Sequence, residues 1–279
     1  FDVIKEHGAD SLRWYMITNS QPWDNLKFDI NGVIEVKQKF FSTLYNIYSF
    51  FSLYANIDGF KYSEKSMTVE KRPVLDRWIL SELNTLIKGV QLNYHNYEPT
   101  LAGRLIQAFV VDQLSNWYVR LCRRRFWKGE YDLTKISAYQ TLYCCLVVVS
   151  RLASPIAPFF MERLFLDLNT VTEIDSSDSV HLSTFPVIAP GLVDSSLEEN
   201  MRLTKDICSL ALSIRKKENI RVRQPLDSVG VYLNNSKLKA GVFVDLIKSE
   251  INVKKVLFYE NSTQVVYRKL VPNFSVLGK

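Results

Sequence analysis

Four times in the first 170 residues, apolar side chains return every three or four positions over several turns. Val33, Val36, Phe40, Leu44, Ile47, Phe51 and Ala55 form one such stripe, and Leu75, Ile79, Leu83, Leu86, Val90 and Tyr94 form the next. Leu101, Leu105, Ala108, Leu114, Trp117 and Leu121 follow, then Ile136, Tyr139, Leu142, Leu146 and Val149. Residues at that spacing share one face of a helix, so each segment is amphipathic and has a face to bury. Helices joined by short connections pack as antiparallel neighbours. The predicted fold is therefore mainly α: an antiparallel helical bundle, followed by a small α+β subdomain where the apolar period changes to two.

Local signals set the expected boundaries. Asp2 and Asp10 are placed as N-caps of two short helices that meet at Gly8, "QPWDNLKF" is a loop, and Asp29 caps the first long helix. Pro99 stands where a first-turn proline belongs, and "SPIAPFF", with Pro155 and Pro158, ends the fourth long helix before a short one at Phe159 to Leu168. Residues 170–196 are polar and read as a surface connection. A further helix runs from Leu197 to Lys217 through Met201, Thr204, Ile207, Leu210, Ala211 and Ile214. After it "SVGVYL" and "VKKVLFYE" read as strands on either side of a helix at Gly241 to Glu250, and "TQVVYRKL" as a third strand. The expected organisation is 1–28 as junction helices, 29–169 as the bundle, 170–196 as the connection, and 197–279 as the long helix with its α+β subdomain.

Charge is distributed unevenly. The formal net charge is +6, but residues 116–129 carry +5 through Arg120, Arg123, Arg124, Arg125 and Lys128, and 215–223 carry +4 through Arg215, Lys216, Lys217, Arg221 and Arg223 against Glu218, leaving −3 elsewhere. A solvated helix face ordinarily mixes signs; like charges one turn apart repel by a few tenths of a kcal/mol per pair. Guanidinium forks suit phosphate, which makes a polyanion the expected partner of "NWYVRLCRRRFWKG". Trp117 and Leu121 continue the stripe begun at Leu101 and are expected to face the bundle. The C-terminal position of Arg215, Lys216 and Lys217 on their helix is explained by the macrodipole alone. Arg221 and Arg223 are not; alternating with Ile220 and Val222, they leave one face of an extended segment, with Gln224 following.

Other chemistries find little support. Four cysteines without a C-x-x-C pair and three histidines at no metal-ligand spacing argue against a disulfide framework, a zinc site and histidine catalysis. No glycine-rich phosphate loop or nucleophile elbow occurs. The longest apolar run, Leu142 to Val149, is too short to span a bilayer. A start at Phe1, with neither a basic nor an apolar leader segment, suggests a piece of a longer chain.

The order of motifs resembles the C-terminal portion of the isoleucyl-tRNA synthetases, which are class I aminoacyl-tRNA synthetases, over essentially all 279 residues. "HGADSLRWYM" is similar to the junction after the catalytic domain, and "QPWDNLKFD", "SIRKKENIRVRQPL" and "LVPNFSVLGK" are similar to the isoleucyl branch. "DRWILSELN", "LSNWYVRLCRRRFW" and "LASPIAPFFMERL" are similar to the anticodon-binding bundle shared with the valyl and leucyl enzymes. The resemblance implies a tRNA-binding fragment that recognises the anticodon stem-loop of isoleucine tRNA in the cytoplasm and touches the rest of its parent chain, with no membrane. The HIGH and KMSKS signatures are absent, so it implies no aminoacylation by the fragment and no cofactor in it, ATP and Mg belonging to the parent. The lack of a cysteine-rich tail points to a zinc-free branch. Arg120, Arg123, Arg124 and Lys128 are expected to bind chiefly phosphate, Arg125 to join the tRNA-binding set without an assigned contact, and Arg221, Arg223 and Gln224 to meet the loop, supported by Arg215 and Lys216. Lys5, Arg13 and Trp23 are candidate contacts near the junction. The rival expectations are the equivalent valyl or leucyl region and a helical protein-interaction scaffold with a basic face.

Overall fold

The computed structural model describes residues 2–62, 67–128, 130–172, 174–189, 191–233 and 242–259. They fall into two compact units, residues 1–194 and 195–279. Helices of the first unit are α1 (Asp2–His7), α2 (Ala9–Asn19), α3 (Ile30–Val36), α4 (Ser42–Asp58), α5 (Val74–His95), α6 (Pro99–Ala108), α7 (Arg120–Trp127), α8 (Leu133–Ala153) and α9 (Pro158–Thr172). Two π-helical stretches, Lys37–Phe41 and Phe109–Val119, join α3 to α4 and α6 to α7 without a break in the helix.

Most of the capping follows local chemistry. The Asp29 carboxylate accepts the Asn31 N–H at 2.9 Å, and Asp132 accepts that of Lys135 at 2.8 Å at the start of α8. Gly59, at φ 65°, closes α4 in the left-handed conformation that spares it a Cβ clash, and the Phe60 N–H then reaches the Ala55 carbonyl at 2.9 Å. Asp10 departs from expectation. The residue before α2 is Gly8, and Asp10 lies within the first turn. Its carboxylate pairs with Arg13 and accepts the Phe160 N–H at 2.6 Å, in the open first turn of α9. A cap that serves another helix leaves no local signature.

Packing between α2, α6 and the α3–α4 helix builds one end of the core. Trp14 stacks on Phe40 with centroids 4.1 Å apart, and its indole N–H donates to Gln107 at 3.0 Å. Arg104 donates to the final carbonyls of α2, Thr18 at 2.7 Å and Asn19 at 2.9 Å, completing a helix end from a partner helix. The approach of α6 to α2 is close at Gly103, where a Cβ would lie 2.7 Å from Thr18 Cγ2 and 3.2 Å from Ile156 Cδ1. Gly103→Ala is therefore expected to lower stability by about 1–3 kcal/mol despite alanine's better helix propensity. Urea midpoints check this; an unchanged or raised midpoint would show that the two helices separate freely.

Helix α8 is long and apolar enough by composition to cross a membrane, but 78% of its apolar window is buried among the other helices, as befits the centre of a bundle. The connection after α9 is pinned to the bundle. Glu162 accepts the Val180 N–H at 2.8 Å, Gln91 donates to the Pro186 carbonyl at 2.8 Å, and the N–H groups of Ala189 and Asp194 reach Asn84 and Ser81 at 2.9 and 2.8 Å.

The second unit consists of α10 (Ser195–Lys217), β1 (Leu226–Tyr232), α11 (Val242–Ile251) and β2 (Val253–Tyr259). The two strands pair in parallel from Leu226↔Val253 to Tyr232↔Tyr259, with α11 in the crossover between them. The buried residues of α10 are Leu197, Asn200, Met201, Thr204, Ile207 and Cys208, and then Arg215; Leu210 and Ile214, expected to continue the apolar stripe, are exposed. The strand expected at "TQVVYRKL" lies outside the described residues.

Candidate nucleic-acid interface

Burial along the third long helix recurs at every fourth residue: Ala102, Ile106, Val110, Leu114, Tyr118, Cys122 and Phe126. In an α-helix of 3.6 residues per turn such a series winds away from any one face by about 40° per step. The π-helical stretch 109–119 takes more residues per turn and keeps the series on one side. The expected stripe holds at Leu114 but is otherwise one residue behind the buried positions, and is so already in α6, before the π-helical stretch. Leu101 and Leu105 are 40% and 39% exposed, and Trp117 and Leu121 are only half-buried.

The inward face is locked by a single carboxylate. Asp76, on α5 and fully buried, receives both terminal nitrogens of Arg125 at 2.6 and 2.9 Å, the Tyr118 hydroxyl at 2.9 Å and the Ser137 hydroxyl at 2.7 Å. Arg125 also donates to the Thr134 carbonyl. Burial acts to strip the guanidinium of its proton, but the hydrogen bonds and charge of Asp76 outweigh it and hold Arg125 above its ordinary pKa. Burial, with Asp76 second, raises the Tyr118 phenol, and burial first pushes the Cys122 thiol up to about 12. Phe126 fits edge-on between Phe50 and Tyr139, with centroids 5.1 and 5.0 Å away. Arg125, expected among the tRNA-binding residues, is instead an internal strut joining α7 to α5 and α8.

What remains outside is one-signed. Arg120, Arg123, Arg124, Trp127 and Lys128 are exposed, and with the half-buried Trp117 they recur every three or four residues along one side of the helix. Arg120 donates to the Asn116 carbonyl at 2.7 Å and sits over the Trp117 ring at 5.3 Å. Arg123 lies 6.0 Å from the Phe50 centroid, and Lys128 lies 5.8 Å from that of Trp127. No acidic residue occurs between Asp112 and Glu130. Trp117, expected to face the bundle, does so only in part: it is half-buried, Tyr118 and Phe126 fill the core, and Trp127 is 55% exposed.

The second basic stretch divides in the same way. Arg215, expected to serve the helix dipole and support RNA, is 4% exposed. Its guanidinium donates to four carbonyls, those of Arg221 and Gln224 at 3.1 Å, Ile251 at 2.7 Å and Asn252 at 3.1 Å. Arg221 to Gln224 is not extended: the Gln224 N–H reaches the Arg221 carbonyl at 3.0 Å, closing a turn, and Asn252 donates to the Val222 carbonyl at 2.9 Å. The turn presents Arg221, Arg223 and Gln224 to solvent, and Lys216 is also exposed. Near the N-terminus, Lys5 is exposed and Trp23 is 66% exposed, whereas Arg13 is engaged by Asp10 and by the Phe159 ring at 5.0 Å. Among the described residues, no group of three potential metal ligands converges, and no glycine-rich turn offers a cradle for a nucleotide triphosphate.

Residues 76–230 match the family described as the anticodon-binding domain of tRNA ligase. The whole chain is 52% identical to part of an isoleucine–tRNA ligase of Bacteroides thetaiotaomicron and to part of one of Cytophaga hutchinsonii, covering 24% and 25% of those proteins. One of Porphyromonas gingivalis is 50% identical, again over all of this chain and 24% of the relative. The chain thus spans about a quarter of the length of the curated relatives it matches. Among solved structures, a ternary complex of Agrobacterium radiobacter K84 agnB2 LeuRS, tRNA and LeuAMS is similar with a TM-score of 0.47 and 19% identity, over 69% of this chain and 22% of that one.

Proposed function

Because the chain belongs to the anticodon-binding domain family of tRNA ligases, we propose that it is the tRNA-binding portion of an isoleucine–tRNA ligase, that it recognises the anticodon stem-loop of isoleucine tRNA in the cytoplasm, and that it performs no aminoacylation itself. The observation that carries the reading is the exposed row of cations along one side of α7, whose opposite side is fixed to Asp76. Arg120, Arg123, Arg124 and Lys128 neutralise phosphates and hold the RNA in register. A-form RNA hides its base edges in a deep, narrow major groove, so sequence is read in unpaired loops. The turn bearing Arg221, Arg223 and Gln224 offers two guanidinium forks and an amide for that task, with Lys216 adding charge. Lys5 and Trp23 are proposed as outlying contacts; Arg13, already engaged, is withdrawn. On this reading ATP and Mg serve the aminoacylation chemistry of the parent.

Salt dependence tests the phosphate role. Engagement of about four phosphates gives a slope of log affinity against log salt of roughly −2.8 to −3.6, and Arg124→Ala is expected to reduce its magnitude by roughly 0.7–0.9 for every tRNA alike. Arg223→Ala is expected instead to erode the preference for isoleucine tRNA over other tRNA transcripts. Salt-independent binding, or identical behaviour of the two variants, contradicts the assignment.

A further inference from the structure

From the outward rings of α7, and resting on the reading that this side meets RNA, we infer that Trp127 and the Arg120–Trp117 pair are two stacking positions for unpaired bases. A tryptophan in a folded chain is ordinarily well buried, and here Trp127 is 55% exposed and Trp117 only half-buried. Tyr118, Cys122 and Phe126 already occupy the inward positions of the same turns, each no more than 1% exposed. Trp127 leaves more than half of its surface in water, and the ammonium of Lys128 stands 5.8 Å from its centroid. One ring away, the Arg120 guanidinium is seated on Trp117, its Nε tied to the Asn116 carbonyl, which gives a planar cation a fixed setting. Arg120 and Trp127 are seven residues apart, two turns or about 10 Å along the helix, and Arg123 and Arg124 lie between them.

Planar groups that alternate with cations match a single strand better than a duplex. Paired bases bury their faces against one another, whereas unpaired nucleotides expose a π-face to an indole or a guanidinium beside a phosphate for an arginine. The side of α7 is then a binding surface for unpaired nucleotides in its own right, with phosphate contacts between two base positions.

The test uses the 279-residue chain and two RNAs of equal length and phosphate number, a hairpin with an unpaired loop and a fully paired blunt duplex. Trp127→Ala is expected to weaken hairpin binding about five- to hundred-fold and duplex binding by less than about two-fold, while Trp127→Phe keeps most of the affinity. Trp117→Ala is expected to act in the same direction. Trp117→Phe, which keeps a ring beneath Arg120, serves as the check that any loss is not a folding defect. Arg124→Ala should weaken both RNAs equally. If Arg124→Ala weakens both RNAs and neither tryptophan variant distinguishes hairpin from duplex, the stacking positions are wrong and the RNA reading stands. If the chain binds neither RNA, or Arg124→Ala changes nothing, the RNA reading fails and takes this inference with it.

Discussion

Asp76→Ala is expected to destabilise the first unit by about 3–5 kcal/mol, because it leaves a buried charge without its partner. Four donors converge on that carboxylate: two from Arg125, one from Tyr118 and one from Ser137. With the carboxylate gone, Arg125 retains only the Thr134 carbonyl among these acceptors, and two hydroxyls lose theirs. Arg125→Ala mirrors the effect by stranding a carboxylate of zero exposure. Replacing both partners by apolar residues of similar volume, Asp76→Leu with Arg125→Met, is expected to recover much of the loss, since the penalty resides in the orphaned charge rather than in a large net gain from the pair. Urea midpoints for the four proteins check this; a double replacement no more stable than either alanine variant would show that the pair itself supplies the stability. Arg125→Ala should leave the RNA affinity of the folded fraction unchanged, which sets it apart from Arg124→Ala, whose effect is on affinity alone. An Arg125→Ala protein of normal stability and weakened RNA binding would place that guanidinium on the outside.

This pair of neighbouring arginines shows what the sequence could and could not convey. Helix number, order and approximate ends were legible because apolar period and caps are local properties, as at Asp29 and Pro99. The orientation of α7 was not. The buried series is already one position ahead of the apolar stripe at Ala102 and Ile106, where small or β-branched residues compete with leucines for the inward side, and the π-helical stretch that ends directly before Arg120 keeps it there. The usable signal was the four-residue recurrence sustained from Ala102 through Ile106, Val110, Leu114, Tyr118 and Cys122 to Phe126, six steps that an unbroken α-helix would not keep on one face. Asp76 carries no such signal: a lone aspartate in the first turn of α5 reads as dipole chemistry, and its partners lie 42, 49 and 61 residues away. Arg215 was masked similarly, since a cation at a helix C-terminus already has an adequate local explanation.

Arg215→Ala is expected to cost the second unit about 3 kcal/mol or more, a hundred-fold or greater shift in its opening equilibrium. Each charge-assisted bond to a carbonyl contributes roughly 1.5–3 kcal/mol before the freed acceptors are rehydrated, and four such bonds meet here with no carboxylate among their acceptors. Those carbonyls come from two places in the chain, the turn at Arg221 and Gln224 and the junction of α11 with β2 at Ile251 and Asn252. The guanidinium therefore fastens the turn to the start of the parallel pair, where the Leu226 N–H also reaches the Asn252 carbonyl at 3.1 Å. An ammonium cannot span this fork, so Arg215→Lys should recover only part of the loss. Amide exchange at Gln224 and Leu226 is expected to accelerate by about the same hundred-fold, with the first unit unaffected. Affinity for tRNA should fall as well, through the lost preorganisation of Arg221, Arg223 and Gln224 rather than through a contact by Arg215. Unchanged exchange at those amides together with weakened tRNA binding would mean that Arg215 leaves its four carbonyls and reaches the RNA directly.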